Sequence, residues 1–260
     1  AGSIFYKNLP GIYRVHDKPN EKRIEEFIKF LSLHGYTPVG KSKIETPKDL
    51  QKILNSLENV PEVKVLHDMA IRSQAKAIYS DVNIGHFGLG SKCYSHFTSP
   101  IRRFPDLTVH RLLKKYLIER DFSMSTINYL ENSLVEIAEH SSEREVAATN
   151  AERDVNDMKM AEYMEKNVGK TYVGTISSVT SFGFFVELDN LIEGLVHIST
   201  LKKDYYNYVP ELLSIIGKST KKTYRLGDKV KVICTAASKE TAMIDFEIVE
   251  DKDGNKKQKS

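Results

Sequence analysis

Arg102 and Arg103 stand side by side in SHFTSPIRRFPDLTVHRLL, Ser95 to Leu113, between Pro100 and Pro105 and close to His96, Thr98 and Ser99. A guanidinium presents a planar fork of donors that matches phosphate oxygens and keeps its charge at any physiological pH. Prolines on both sides restrict the loop, so less conformational entropy is lost when the fork engages. These residues fit a phosphate clamp, and phosphoryl transfer depends chiefly on positioning and on neutralising charge as it develops. They fit equally an ion network with acidic helices, and types and spacing alone leave both readings open.

The charge pattern says what such a clamp would meet. From Ser91 to Arg120 there are seven basic residues and two acids, 7 − 2 = +5, whereas Glu131 to Glu165 has three basic residues and ten acids, 3 − 10 = −7, inside a 260-residue chain of net charge +3. A polyanion such as nucleic acid is the usual partner of a basic stretch of this kind; two solvated helix faces are the plainer alternative. No apolar run reaches the length of a membrane span, and no basic segment followed by an apolar one opens the chain, so the expected protein is cytoplasmic, with no membrane partner. Cys93 and Cys234 are far apart and lack metal-ligand spacing, which argues against a disulfide framework or a zinc site.

The elements that must position the arginines are helical up to about residue 167. Asn20 can cap a helix carrying Ile24, Phe27, Ile28 and Leu31 and stopped by Gly35; Thr46 then Pro47 opens a second; a third is predicted from Val63 to Tyr79. IGHFGLGSKCYSHFTSPI, with its glycines and hydroxyls, reads as loop with a short strand at most. Pro105 and Asp106 suit the first turn of a helix from Phe104 to about Arg120, and one long helix or two follow from Thr126 to about Asn167, ended by Gly169. Beyond Gly169 the period drops to two. TYVGTISSVTSFGFFVEL and later runs at Gly194–Ile198, Lys229–Cys234 and Met243–Val249 predict several short strands around a long insertion, the pattern of a small closed barrel. The expected domains are 1–167 and 168–250, followed by a disordered lysine-rich tail over 251–260.

GHFGLG at Gly85–Gly90 and Y-x-HFTSPIRRFPD at Tyr94–Asp106 resemble the signature of the ribonuclease II and ribonuclease R family of processive 3′→5′ exoribonucleases, nearer its ribonuclease R branch. GIYRVHDKP at Gly11–Pro19, AERDVND at Ala151–Asp157, and SSVTSFGFFVEL with GLVHIS extend the likeness over nearly the whole chain. The resemblance implies an α+β multidomain fold: the mainly helical C-terminal portion of the catalytic domain, followed by a five-stranded OB-fold β-barrel. It implies that Arg102 holds the phosphate at the scissile bond, with Arg103 as a neighbouring catalytic anchor or a structural partner. Tyr94, His96 and Ser99 join the RNA contacts, and Glu152 lies near the bound 3′-terminal nucleotides.

The family cuts RNA to 5′-mononucleotides with two divalent ions, Mg²⁺ in the full-length enzyme, held by clustered aspartates upstream of anything in this sequence. No metal ligands are therefore assigned here. Asp154 and Asp157 could share a helical face, but no further acids converge on them. The expected protein is a monomeric piece of an enzyme, inactive alone and lacking its N-terminal half; the alternative is a non-catalytic adaptor for single-stranded RNA. The terminal segment resembles an OB-fold RNA-binding module first named from a ribosomal protein, whose ligand-facing aromatics match Phe182, Phe185 and His197. Those positions suit sequence-tolerant stacking on bases; the competing reading puts Phe182 and Phe185 into the core. Glu240 and Ala242 replace an Asp and an Arg common in such modules, a loss that Lys202, Lys203, Lys221, Lys222 and Arg225 are placed to offset.

Overall fold

A computed structural model describes residues 4, 7–33, 35–36, 44, 46–58 and 63–249. The tail expected at 251–260 lies outside them. The contacts divide the chain into a mainly helical unit and a barrel unit, the boundary falling within its longest helix after Asn150 and the described residues of Ser32–Tyr36 and Asn59–Leu66 grouping with the second unit. Among the described residues no helix is long and apolar enough to cross a membrane.

In the helical unit, β1 (Tyr13–Val15) pairs antiparallel with β2 (Ile78–Ser80), with Arg14 opposite Tyr79. The helices are α1 (Glu21–Leu33), α2 (Pro47–Ser56), α3 (Val63–Ser73), α4 (Phe104–Leu113) and α5 (Met124–Glu165). The Asp49 carboxylate accepts from the Thr46 N–H and hydroxyl, which fixes the start of α2 ahead of Pro47. Ile12, Tyr79, Val109, Leu112, Tyr116, Leu134 and Ala138 form one buried cluster, which draws β1, β2, α4 and α5 together. The helix expected from Phe104 to Arg120 widens into a π-type turn over Lys114–Glu119 and stops at Arg120, whose φ is 52°. Met124 to Glu165 is one helix rather than two.

Two expectations are corrected here. The helix predicted from Val63 to Tyr79 ends at Ser73, because Ile78–Ser80 is taken into the sheet by β1. Tyr13–Val15, in a region read as helical, is a strand: besides β2 it receives the loop that follows, with Arg14 N donating to Tyr94 O at 2.9 Å and His16 N to Gly85 O at 3.0 Å. A three-residue strand is too short for its periodicity to show in sequence.

In the second unit five strands close into the expected barrel: β3 (Thr171–Thr180), β4 (Gly183–Leu188), β5 (Glu193–His197), β9 (Lys229–Ser238) and β10 (Met243–Ile248), in the order β10-β5-β4-β3-β9. The insertion, read only as a long connection, is a sheet of β6 (Tyr206–Val209), β7 (Ser214–Gly217) and β8 (Thr223–Arg225). Along β4 the residues alternate as the pleat requires: Phe184, Val186 and Leu188 are buried while Phe185 and Glu187 point outward. Phe184 stacks on Tyr224, and Ala161 and Met164 from the end of α5 complete the core.

Gly183 sits at φ 155°, and a Cβ there would stand 2.3 Å from Val196 O. Gly183→Ala must therefore push β4 off β5. The expected result is a barrel destabilised by about 1–3 kcal/mol, the usual cost of forcing atoms into a packed site, read as a lowered thermal midpoint with the helical unit's signal unchanged. A variant melting like wild type would show that the strand pair yields freely.

Candidate nucleic-acid interface

The turn that carries the arginines is held by one buried acid. Ser99 O accepts from the N–H groups of Arg102 (3.2 Å) and Arg103 (3.0 Å), folding Ser99–Arg103 back on itself. Asp106, in the first turn of α4 and 0% exposed, receives Ser99 N at 2.8 Å and Arg103 Nη2 at 2.9 Å on the same carboxylate oxygen. The two arginines therefore part. The guanidinium of Arg103 is committed inward, whereas Arg102 is exposed and has no side-chain partner among the described residues. The ion network anticipated with the acidic helices is made by another residue: Arg14, on β1, forks onto Glu145 of α5 at 2.5 and 3.1 Å with its side chain only 13% exposed.

Beside the turn runs a row of rings. His16 and His86 stack with centroids 5.1 Å apart; Tyr94 meets His86 edge-on at 5.4 Å and His96 at 5.8 Å; His96 Nδ1 lies 2.9 Å from the Tyr79 hydroxyl. Arg14 lies over the Tyr79 ring at 4.7 Å. Burial, then the positive charges of Arg103 and Arg14, pushes His96 below its ordinary pKa. It is thus the neutral imidazole that meets Tyr79, whose own phenol is raised by burial and then by Glu145. His86 is likewise lowered, by burial first and then by His16 and Arg14. His16 Nδ1 accepts the Gly88 N–H at 2.9 Å, so the proton sits on Nε2 and donates to Ala75 O at 2.7 Å. Tyr94, His96 and Ser99, chosen from sequence, are thus gathered with Arg102 and Arg103. Arg14, Tyr79, Asp106 and Glu145 were missed. Asp106 had a signal, an acid three residues beyond an arginine at a helix start; the others meet only through long-range pairing along β1.

In the barrel unit the three aromatic choices share one outer face. Phe182 and Phe185 meet edge-to-face at 6.2 Å, both outside the core, which Phe184 enters instead. His197 is the register partner of Gly183, directly beside them, and its Nδ1 lies 2.7 Å from Ser199 Oγ. Glu152 lies exposed on α5 without a side-chain partner among the described residues. At the turn before β10, Lys239 is bound to Glu162 and Glu165, and Ala242 takes φ 53°; Lys222 lies 5.1 Å from the Tyr224 ring.

Among the described residues no three His, Cys, Asp or Glu side chains converge as a metal site. Asp106, the one fully buried acid by the arginine turn, is engaged by Ser99 and Arg103. Among the described residues these side chains do not make up a ligand set for the pair of divalent ions that the resemblance implies.

An α+β chain that joins a ring-lined, arginine-bearing helical unit to an OB-type barrel with an aromatic outer face has the build of a nucleic-acid-handling protein. Residues 1–119 match the RNB domain and 165–248 the S1 RNA binding domain. The chain is 46% identical over 239 residues to ribonuclease R 1 of Lactococcus lactis, which covers 92% of this chain and 29% of that protein. The apo form of Mycoplasma genitalium RNase R superposes with a TM-score of 0.89 at 30% identity, over 96% of this chain and 39% of that one, and its complex with ribose-methylated single-stranded RNA has the same TM-score at 31%. The chain carries an RNB domain and an S1 RNA binding domain and is similar to ribonuclease R proteins over most of its length, and it spans about 30% of the length of the curated ribonuclease R relatives it matches, such as that of Escherichia coli.

Proposed function

We propose that this chain is the phosphate-holding and RNA-capturing part of a cytoplasmic ribonuclease R, an enzyme that hydrolyses single-stranded RNA from the 3′ end to 5′-mononucleotides. One observation carries the reading: of two adjacent arginines, one is spent on fixing the turn and the other is held out free by it. Arg102 is then the group that grips the phosphate at the scissile bond. Arg103 and Asp106 are positioning residues, and Tyr94 and His96, backed by the buried Tyr79, give the strand end a wall of rings. A fork mounted on a stiff turn needs little reorganisation as charge builds on the phosphate, which is where electrostatic stabilisation is largest. Glu152, exposed on α5, is assigned to the terminal nucleotides by the match at AERDVND. The divalent ions, Mg²⁺, are assigned to clustered aspartates of the parent enzyme outside these 260 residues, as the resemblance implies. In the barrel, Phe182, Phe185 and His197 stack on bases whatever their sequence, at about 1–3 kcal/mol per base. We place the division of labour at residue 167, with 168–250 as the capturing domain, and take the protein to act as a monomer.

The test is direct. The chain alone is expected to bind single-stranded RNA with log K falling linearly in log salt, as phosphate neutralisation requires, and to release no nucleotides with Mg²⁺ present. Nucleotide release by the pure chain would overturn the assignment of the metal site to the rest of the parent. Salt-independent binding would overturn the phosphate clamp. If the natural reading frame lacks clustered aspartates upstream, the chain is an adaptor rather than part of a nuclease.

A further inference from the structure

We propose that the barrel unit carries a second base-stacking position at Tyr205, where one nucleotide of a single-stranded RNA lies with its base on the tyrosine ring and its phosphate toward Lys202. The inference rests on the barrel being the RNA-capturing part, and it adds a site to the aromatic face of Phe182, Phe185 and His197.

Tyr205 is 84% exposed, and neither its ring nor its hydroxyl has a partner among the described residues. Its neighbours in sequence and sheet do structural work instead: Tyr206 and Tyr208 pack against the barrel core, and Tyr224 is buried in it. The backbone of Tyr205 is tied at both ends, its N–H donating to Asp204 Oδ1 at 2.8 Å and its carbonyl accepting from Lys218 N at 2.7 Å. An aromatic ring left in water on a backbone this firmly held resembles a stacking platform more than a packing residue.

The mounting is itself specific. Asp204 gathers the turn between β7 and β8, accepting from Ser219 N at 2.9 Å, Thr220 N at 2.6 Å and Thr220 Oγ1 at 2.7 Å. These donors, the Thr220 N–H first, hold its carboxyl down to about 2. The arrangement requires glycine at 217, where a Cβ would stand 2.6 Å from both Asp204 Oδ2 and Thr220 Oγ1. The acid is therefore turned toward the donors of the β7–β8 turn. What remains over Lys202–Lys222 is five lysines against Asp204 and Glu211, 5 − 2 = +3.

Beside the tyrosine lies a groove of about 610 Å³ lined by Ser199, Lys202, Asp204, Tyr205 and Ser219 among others. That volume falls in the range of small-molecule sites and holds a nucleotide. Ser199 joins it to the aromatic face, because its hydroxyl lies 2.7 Å from His197 Nδ1. A strand stacked on Phe182, Phe185 and His197 can thus continue past Ser199 onto Tyr205. The ligand class is a single-stranded polynucleotide, read through a π-face and a phosphate, without base selection.

Binding of fluorescein-labelled oligouridylates of 4 and 12 nucleotides to the full chain tests this. Tyr205→Ala is expected to weaken the 12-mer about tenfold and leave the 4-mer unchanged, Tyr205→Phe to bind as wild type, and Phe185→Ala to weaken both lengths. The thermal midpoint of Tyr205→Ala should match wild type, because the ring packs on nothing. If Tyr205→Ala binds both lengths normally while Phe185→Ala does not, the second position is refuted and the barrel reading survives. If neither variant changes binding, the barrel reading falls and this inference with it. Equal weakening of both lengths by Tyr205→Ala also refutes a separate position.

Discussion

Arg102→Ala, placed in the parent ribonuclease, is expected to lower turnover by about 10² to 10³ and to change RNA affinity by less than about threefold, the loss seen when one preorganised donor is removed from developing charge. The expectation follows from how Arg102 is held. Its side chain is exposed and has no partner among the described residues, so its removal is expected to leave the fold's melting behaviour unchanged. Its neighbour Arg103 is occupied by Asp106 and cannot swing out to replace it without leaving a buried carboxylate with no counter-charge. Arg102→Lys restores little, because a point charge does not reproduce the two-pronged donor geometry. Phe185→Ala is expected to give the opposite pattern, with weaker capture and an unaltered chemical step, since the ring lies on the outer barrel face that we propose stacks on bases. Single-turnover rates on saturating RNA, set beside equilibrium affinities, separate the two. Equal losses in rate and affinity for Arg102→Ala would show that it only binds.

The passage from helical unit to barrel was readable because hydrophobic period changes from about 3.6 to 2 near Gly169, and few competing signals obscure it. The arginine turn was readable from SPIRRFPD, since two prolines and a pair of guanidiniums constrain both shape and chemistry. Which arginine faces inward was not. Adjacent residues on a turn diverge, and the choice depends on where Asp106 lies once α4 has formed, a local effect that i,i+3 spacing hints at without fixing. The ring row was beyond reach for a different reason. His16, Tyr79, His86, Tyr94 and His96 come from three separated segments, and only the backbone bonds of β1 to β2 and to the 85–95 loop bring them together. The inner sheet of the insertion escaped notice because its strands are three or four residues long and divided by a tight turn at Pro210–Leu212. In the barrel, by contrast, Gly183 resolved the placement of Phe182 and Phe185: the strand starts at the glycine, so Phe184 takes the inward position and both neighbours stay outside.

Asp106 is fully buried and accepts from both Ser99 N and Arg103 Nη2, and a double-mutant cycle with Arg103 should expose what that pairing is worth. Asp106→Ala removes the acceptor of both Ser99 N and Arg103 Nη2 and leaves a largely buried guanidinium without a counter-charge, which costs about 3–5 kcal/mol. Arg103→Met leaves the carboxylate fully buried, with Ser99 N as its remaining partner, at a cost of about 3 kcal/mol. The pair is imperfect even when intact, since Arg103 Nε and Asp106 Oδ1 are both buried and unbonded among the described residues. Removing the two charges together therefore forfeits a modest net interaction and relieves two desolvated groups, so the double variant should be more stable than the sum of the single losses by about 2 kcal/mol or more. Denaturant titration of the helical unit's transition measures all four states. The double variant also separates stability from function: it regains much of its fold, yet the Ser99 N–H stays untied and the turn carrying Arg102 stays loose, so turnover in the parent enzyme remains depressed while stability returns. Additive losses would mean that the carboxylate and guanidinium act independently, and recovery of turnover together with stability would show that the latch holds the fold without aiming Arg102.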